Sequence, residues 1–156
     1  MNPRNTVTQV YRVEGIKALY WGGPFSNFAP AKLTFNDSLL GHVTVPSVEH
    51  AFQGAKTLHP RERAQVYGAP TAKDAKRLGR KVELRTDWED IKLDTMTWLN
   101  YRRITTDTSL AHHLLRVYMQ GLTLHEDSPY DLVWGVRGQD LMNQVWNRIA
   151  RKSFGS

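Results

Sequence analysis

The hydrophobic period of this chain changes at Pro46-Ser47, and that change limits the folds open to it. Ahead of it, short apolar runs alternate with turn residues. Val7, Gln9, Tyr11 and Val13 fall on one side of an extended segment, residues 16–21 form a second run before the Gly22-Gly23-Pro24 turn, and 33–35 and 42–45 form two more around Asn36-Asp37 and Gly41. Behind it, the spacing is helical for most of the chain. It predicts helices over 47–57, 60–67, 71–79, 87–103, 109–120 and 139–152, with extended segments at 122–124 and 132–134 flanking the polar turn His125-Glu126-Asp127-Ser128-Pro129. A β-rich start is followed by a helix-dominated remainder.

Two of these helices carry further signals. In the first, opened by Ser47, residues Val48, Ala51, Phe52 and Ala55 make an apolar stripe, while Glu49, Gln53 and Lys56 follow at i, i+4 and i+7 on another face. One face is expected to pack and the other to be open to chemistry. In the fourth, Trp88, Ile91, Thr95, Met96, Leu99 and Arg102 trace the buried stripe, with Asp87 placed to favour the helix dipole. Gly79 reads as the residue that ends the third helix, behind Lys76 and Arg77 in its last turn.

With 156 residues, 40% of them hydrophobic, the chain fits one compact domain over 1–156, residues 1–19 lying ahead of all the motifs described below. It has no run of about eighteen apolar residues and no apolar signal region behind Met1-Asn2-Pro3-Arg4-Asn5, so a cytoplasmic protein without membrane association is expected. Cysteine is absent. Disulfides, thiolate metal sites and cysteine nucleophiles are thereby excluded. Adjacent His112 and His113 would point about 100° apart on a helix, so no metal is expected. No Walker loop, GxGxxG or GxSxG motif occurs.

A net charge of +6 favours anionic partners such as phosphates, nucleotides or nucleic acid, although a merely soluble basic protein has the same sum. The cations gather at Lys73, Lys76, Arg77, Arg80 and Lys81, at Arg102 and Arg103, and at Arg148, Arg151 and Lys152.

Five segments then fall in a telling order: Phe25-Ser26-Asn27-Phe28; Ser47-Val48-Glu49-His50-Ala51-Phe52-Gln53-Gly54-Ala55-Lys56; Ala75-Lys76-Arg77-Leu78-Gly79-Arg80; Asp87-Trp88-Glu89-Asp90-Ile91-Lys92-Leu93-Asp94-Thr95-Met96; and Glu126-Asp127-Ser128-Pro129-Tyr130-Asp131-Leu132-Val133-Trp134-Gly135. In this order they resemble the NADAR family, also called YbiA-like, from about residue 20 to residue 152. The resemblance implies a compact, helix-rich α+β domain with a few short strands. It also implies N-glycosidase activity, either on phosphoribosylated pyrimidine or pyrimidinone intermediates of riboflavin synthesis or on ADP-ribose attached to guanine in nucleic acid. Departures from the family pattern fall at Arg103-Ile104, where a Lys-Phe pair is usual, at the short Val136-Arg137-Gly138, and at Asp140 and Asn143, which replace an asparagine and a glycine. Residues 36–42 resemble an insertion at the mouth of the pocket.

Cleaving a C–N bond at an anomeric carbon calls for stabilising positive charge on the sugar, accommodating the leaving nitrogen and delivering water, which suits carboxylates. Glu49 is the first candidate, against the alternative that it serves only the helix dipole. Asp131 is the second, against turn chemistry after Pro129. Lys56 is a candidate for phosphate binding or Schiff-base formation, and Lys92 competes for that role.

Substrate contacts are assigned to Phe25, Ser26, Asn27, Phe28, His50, Gln53, Arg80, Lys92, Trp134 and Gly135. Each has a plainer alternative: a turn for Ser26 and Asn27, a hydrogen-bonded structural role for His50, helix capping for Arg80, and core packing for the aromatics, Trp88 above all. No cofactor is called for. On charge, ADP-ribosylated guanine is the favoured substrate, with the riboflavin intermediates as the alternative. A binding module for ADP-ribose or nucleotides without catalysis is the alternative of a different class.

Overall fold

The computed structural model describes residues 10–155. They form β1 (Arg12–Glu14), β2 (Lys17–Tyr20), β3 (Leu33–Asp37), β4 (Gly41–Val45), α1 (Val48–Gly54), α2 (Pro60–Tyr67), α3 (Ala72–Gly79), α4 (Trp88–Thr106), α5 (Thr108–Met119), β5 (Thr123–Glu126) and α6 (Leu141–Phe154). This is the expected helix-rich α+β architecture, with few and short strands. Of the first predicted strand, residues 7–9 lie outside the described region. Packing divides the described residues into two units, one made of residues 10–26 and 109–155 and the other of the uninterrupted segment 27–108. The second is thus an insert in the sequence of the first.

The discontinuous unit is built on a three-stranded sheet in the order β1-β2-β5. β1 and β2 pair antiparallel across a two-residue turn whose first residue, Gly15, has φ 61°, a conformation that only glycine adopts without strain. β2 pairs with β5 in parallel, Lys17 opposite Thr123 and Tyr20 opposite Glu126. Tyr20, Phe25 and Trp146 form an aromatic centre, with Phe25 5.4 Å from the Trp146 ring in an edge-on arrangement. The indole N–H donates to the Tyr20 hydroxyl at 3.0 Å, so neither buried polar tip is left dry and unpaired.

In the continuous unit, β3 and β4 form an antiparallel hairpin, Leu33 opposite Val45 and Asp37 opposite Gly41. Residues 36–42 are therefore the closed end of this hairpin. Asp37 Oδ2 accepts from the Leu39 and Leu40 amides, both at 2.9 Å, and turns the chain there. The same carboxylate faces inward, where Arg63 Nη1 donates to both its oxygens at 3.2 Å and the Tyr67 hydroxyl donates at 2.7 Å. Arg63 spends its remaining donors on the end of α1, giving Nε to Gly54 O and Nη2 to Thr57 O. The last carbonyl of α1 and that of Thr57 in the turn behind it thereby both accept from one side chain of α2.

The structure also corrects several boundaries. α1 ends at Gly54 rather than at 57, which removes Lys56 from its face, and every one of its seven residues is buried, so no open face remains. Gly79 is the last helical residue of α3, followed by Arg80 in a right-handed conformation, and has no turn-forming role. The buried stripe of α4 comprises Trp88, Met96, Leu99, Asn100, Arg103 and Ile104, with Arg102 exposed. Residues 132–134 are not a strand, because Asp131 Oδ1 takes the Val133 and Trp134 amides at 3.0 and 2.9 Å and withdraws them from sheet pairing.

Burial would push the Asp37 carboxyl up, but the Tyr67 hydroxyl, the two amides and the Arg63 charge outweigh it and hold its pKa below the ordinary value. Tyr67 moves the other way, raised by burial and by its bond to Asp37. A depressed carboxylate contributes stability that is present above the unfolded pKa, near 3.9, and is lost as pH falls through the folded value. Asp37→Ala should therefore cost about 3–5 kcal/mol in urea unfolding at pH 7, since it strands a buried guanidinium. Its stability should also vary less than that of the parent as pH falls below about 4.

Candidate functional site

The continuous unit carries a buried polar network centred on α1. Ser47 caps the helix, its hydroxyl accepting from His50 N at 3.1 Å. Glu49 in the first turn is 6% exposed, and Gln53 Nε2 donates to its Oε2 at 2.6 Å. These two side chains are one turn apart, so the helix itself sets their distance. Gln53 is fixed in turn by α3, since a Cβ placed on Gly79 would collide with the Gln53 side chain, at Oε1 most of all. Gly79 is glycine for close approach between helices. Gly54 serves similarly, its α-carbon lying against the Tyr67 ring of α2.

The Glu49 amide donates to Asn27 O at 3.0 Å, which joins the carboxylate's residue to a second chain of polar groups. Asn27 Oδ1 accepts from Asn100 Nδ2 at 3.1 Å, and Asn100 Oδ1 accepts from Arg103 Nη2 at 2.8 Å. Asn27, Asn100 and Arg103 are 6%, 0% and 3% exposed. A buried acid and a buried guanidinium are thus tied into one framework through Asn27. Such groups are costly to bury and are retained where their position matters.

Asn100 and Arg103 were not among the sequence candidates. Arg102 and Arg103 form one basic cluster in sequence, but only Arg102 is at the surface, where its Nε donates to Thr34 O. The spacing Met96, Asn100, Arg103 is i, i+4, i+7, so a polar pair continuing the apolar stripe was the available signal.

His50 is fully engaged. Its Nε2 donates to Ala69 O at 2.9 Å, which places the ring proton there and leaves Nδ1 facing the Ser47 hydroxyl at 2.7 Å. That arrangement is the structural alternative weighed for this residue. Phe28 is 41% exposed with Lys76 Nζ 5.8 Å from its ring centre, within cation–π range. Arg80 is exposed beyond α3, and Lys92 Nζ pairs with Glu89 at 2.7 Å. Lys56 lies in the turn after α1, its carbonyl accepting from Arg85 N at 2.8 Å. Trp88 is core, stacked at a tilt on Phe52 with centres 4.9 Å apart.

The remaining candidates belong to the discontinuous unit. Phe25 is wholly buried in the aromatic centre, and Ser26 closes the preceding turn by donating N–H to Gly23 O. Asp131, Trp134 and Gly135 share a loop that leads into α6. The Leu141 and Met142 amides of that helix donate to Val133 O and Trp134 O at 3.1 and 3.2 Å, so the loop itself caps the helix. Gly135 packs against the backbone of Asp131 and Glu126 with no space for a Cβ. Among the described residues no group of three or more His, Asp or Glu is arranged to hold a metal ion, and no helix is long and apolar enough to cross a membrane.

Residues 19–151 match the NADAR domain family. The chain belongs to that family. Within it, the chain is 36% identical over 127 residues to the chloroplastic riboflavin biosynthesis protein PYRR of Zea mays, a match covering 72% of this chain and 20% of that protein. It is 32% identical over 118 residues to a riboflavin biosynthesis protein of Vibrio vulnificus, covering 74% of this chain and 30% of that one. The chain thus spans less than a third of either curated relative. The E. coli protein YbiA, solved by NMR, has the same fold, with a TM-score of 0.72 at 22% identity over 92% of this chain and 89% of that one.

The close approach at residue 79 yields a direct test. Gly79→Ala should cost about 1–3 kcal/mol by overpacking against Gln53. In a crystal structure or NMR spectrum of that variant the Gln53–Glu49 hydrogen bond should be lost or lengthened, while the Arg63–Asp37 pair stays in place.

Proposed function

We propose that this NADAR protein is an N-glycosidase that hydrolyses the C–N bond between a phosphorylated ribosyl group and a base or amine. The observation that carries this is Glu49: a buried carboxylate, oriented by Gln53 and braced by the α3 backbone at Gly79. A carboxylate preorganised in this way suits a reaction whose transition state gathers positive charge on the sugar ring, because it needs no reorganisation as that charge forms. Water adds to the anomeric carbon, the C–N bond electrons leave with the nitrogen, and one water proton ends on that nitrogen or on the carboxylate. Glu49 stabilises the cation or takes the water proton, Gln53 holds its orientation, and Arg103 supplies a fixed positive charge suited to an anionic substrate. Asp131 is the second carboxylate proposed for the reaction, although one of its oxygens is occupied with amides of its own loop. Lys56 and Lys92 are the amines proposed for phosphate contact.

Two substrate classes fit this chemistry. The names of the two curated relatives support phosphoribosylated intermediates of riboflavin synthesis. The exposed cations Lys73, Arg77, Arg80 and Lys81 support ADP-ribosylated guanine in nucleic acid or nucleotide, but the burial of Arg103 withdraws one member of the surface charge on which that preference rested. We therefore rank the riboflavin intermediates first.

Purified protein without added metal or cofactor should release a base or amine from one of these N-glycosides, followed by mass. Glu49→Gln should lower kcat by at least about a hundredfold with an unchanged melting curve. Full activity in this variant would exclude Glu49 from the chemistry. Ligand binding with no product from any of the substrates would instead favour a non-catalytic ADP-ribose or nucleotide-binding module.

A further inference from the structure

Asp140 is the one non-glycine residue with positive φ among those described, at φ 58° and ψ 39°, and it stands where the 127–140 loop enters α6. An L-residue in this left-handed conformation is strained, and such strain persists only when the surroundings enforce it. The enforcing contact is with β5. Asp140 Oδ2 lies 2.7 Å from His125 Nδ1, and His125 Nε2 lies 2.7 Å from the Thr123 hydroxyl. A carboxylate only accepts, so Nδ1 carries the proton. Thr123 is in turn 3.4 Å from Ile16 O. The Thr123 hydroxyl thus stands within hydrogen-bond reach of both His125 Nε2 and Ile16 O.

What it holds is the loop. The Asp140 amide donates to Gly135 O at 3.0 Å, Gln139 N donates to Leu132 O at 2.7 Å, and the next two amides are those that cap onto Val133 and Trp134. The second oxygen of Asp140, Oδ1, is buried without a hydrogen-bond partner among the described residues. The carboxylate thus sits where the anchor requires it, not where its own hydrogen bonding would be complete.

We propose that His125 and Asp140 are positioning residues that lock the loop bearing Asp131 and Trp134. They act through the left-handed turn at residue 140 and touch no substrate. This rests on the N-glycosidase reading for its consequence in catalysis, but its structural half can be tested without any substrate.

The deciding variant is Asp140→Gly, because glycine adopts φ 58° freely and separates the backbone conformation from the anchor. Amide hydrogen exchange should rise at least about tenfold at Val133, Trp134, Leu141 and Met142, with later amides of α6 unchanged. With the best N-glycoside as substrate, its KM should rise more than kcat falls. Asp140→Asn, which keeps an acceptor for His125, should restore most of both, and nitrogen NMR of the parent should show His125 with its proton on Nδ1. Unchanged exchange at those four amides, or exchange raised evenly along α6, would overturn the proposal. An absence of turnover in the parent would defeat the N-glycosidase reading and leave the exchange result to decide this one.

Discussion

The continuous unit depends on one guanidinium. Projecting from α2, Arg63 ties two other elements to that helix: the turn of the β3–β4 hairpin through Asp37, and the end of α1 and the turn behind it through Gly54 O and Thr57 O. Burying an ion pair gains little against an apolar pair of the same shape, so its worth lies in direction more than in energy. Five rigid donors with acceptors on separate elements admit one arrangement of those elements. Tyr67, which shares Asp37, also bears on the α-carbon of Gly54, so α2 grips the end of α1 by a polar contact and a steric one.

The orientation of Glu49 follows from that grip. A seven-residue helix has little stability of its own, being well short of the length at which isolated helices persist. Ser47 and His50 fix its start, Arg63 fixes its end, and α3 presses on Gln53 from the side. The side chains that would carry the chemistry are thereby held on a short element whose three boundaries are all enforced by neighbours. This is the kind of preorganisation that electrostatic catalysis calls for.

Much of this was legible in the sequence. The change of period at Pro46-Ser47, the Ser47 cap, Pro60 at the start of α2 and Thr71 at the start of α3 placed the helices to within a few residues, because caps and periods are local signals. What was not legible depends on contacts between elements. Gly79 resembles a helix terminator in sequence, and only the presence of Gln53 against it reveals a packing role. Arg103 looks like half of a surface Arg-Arg pair, yet adjacent helical residues point about 100° apart, so one is buried while the other is exposed. Residues 132–134 are apolar enough for a strand, but the side chain of Asp131 competes for their amides, and such side-chain competition outweighs propensity. In sequence Asp131 and Glu49 are alike carboxylates suited to the chemistry, whereas their different settings, one capping its own loop and the other buried beside an amide, are visible only in three dimensions.

The interrupted unit has a consequence for how the chain is made. Its β1–β2 hairpin leaves the ribosome ahead of segment 27–108, but the parallel neighbour of β2 is β5, which follows about a hundred residues later. Between the two the ribosome delivers the whole of segment 27–108, which holds the β3–β4 hairpin, α1 to α4 and the Arg63 clamp. During that interval β2 presents one unpaired edge, and Ala18, Leu19 and Tyr20 await their burial. A strand of only four residues offers a poor template for aggregation. Synthesis order thus places the whole of the inserted segment ahead of the strand that completes the sheet of the interrupted unit.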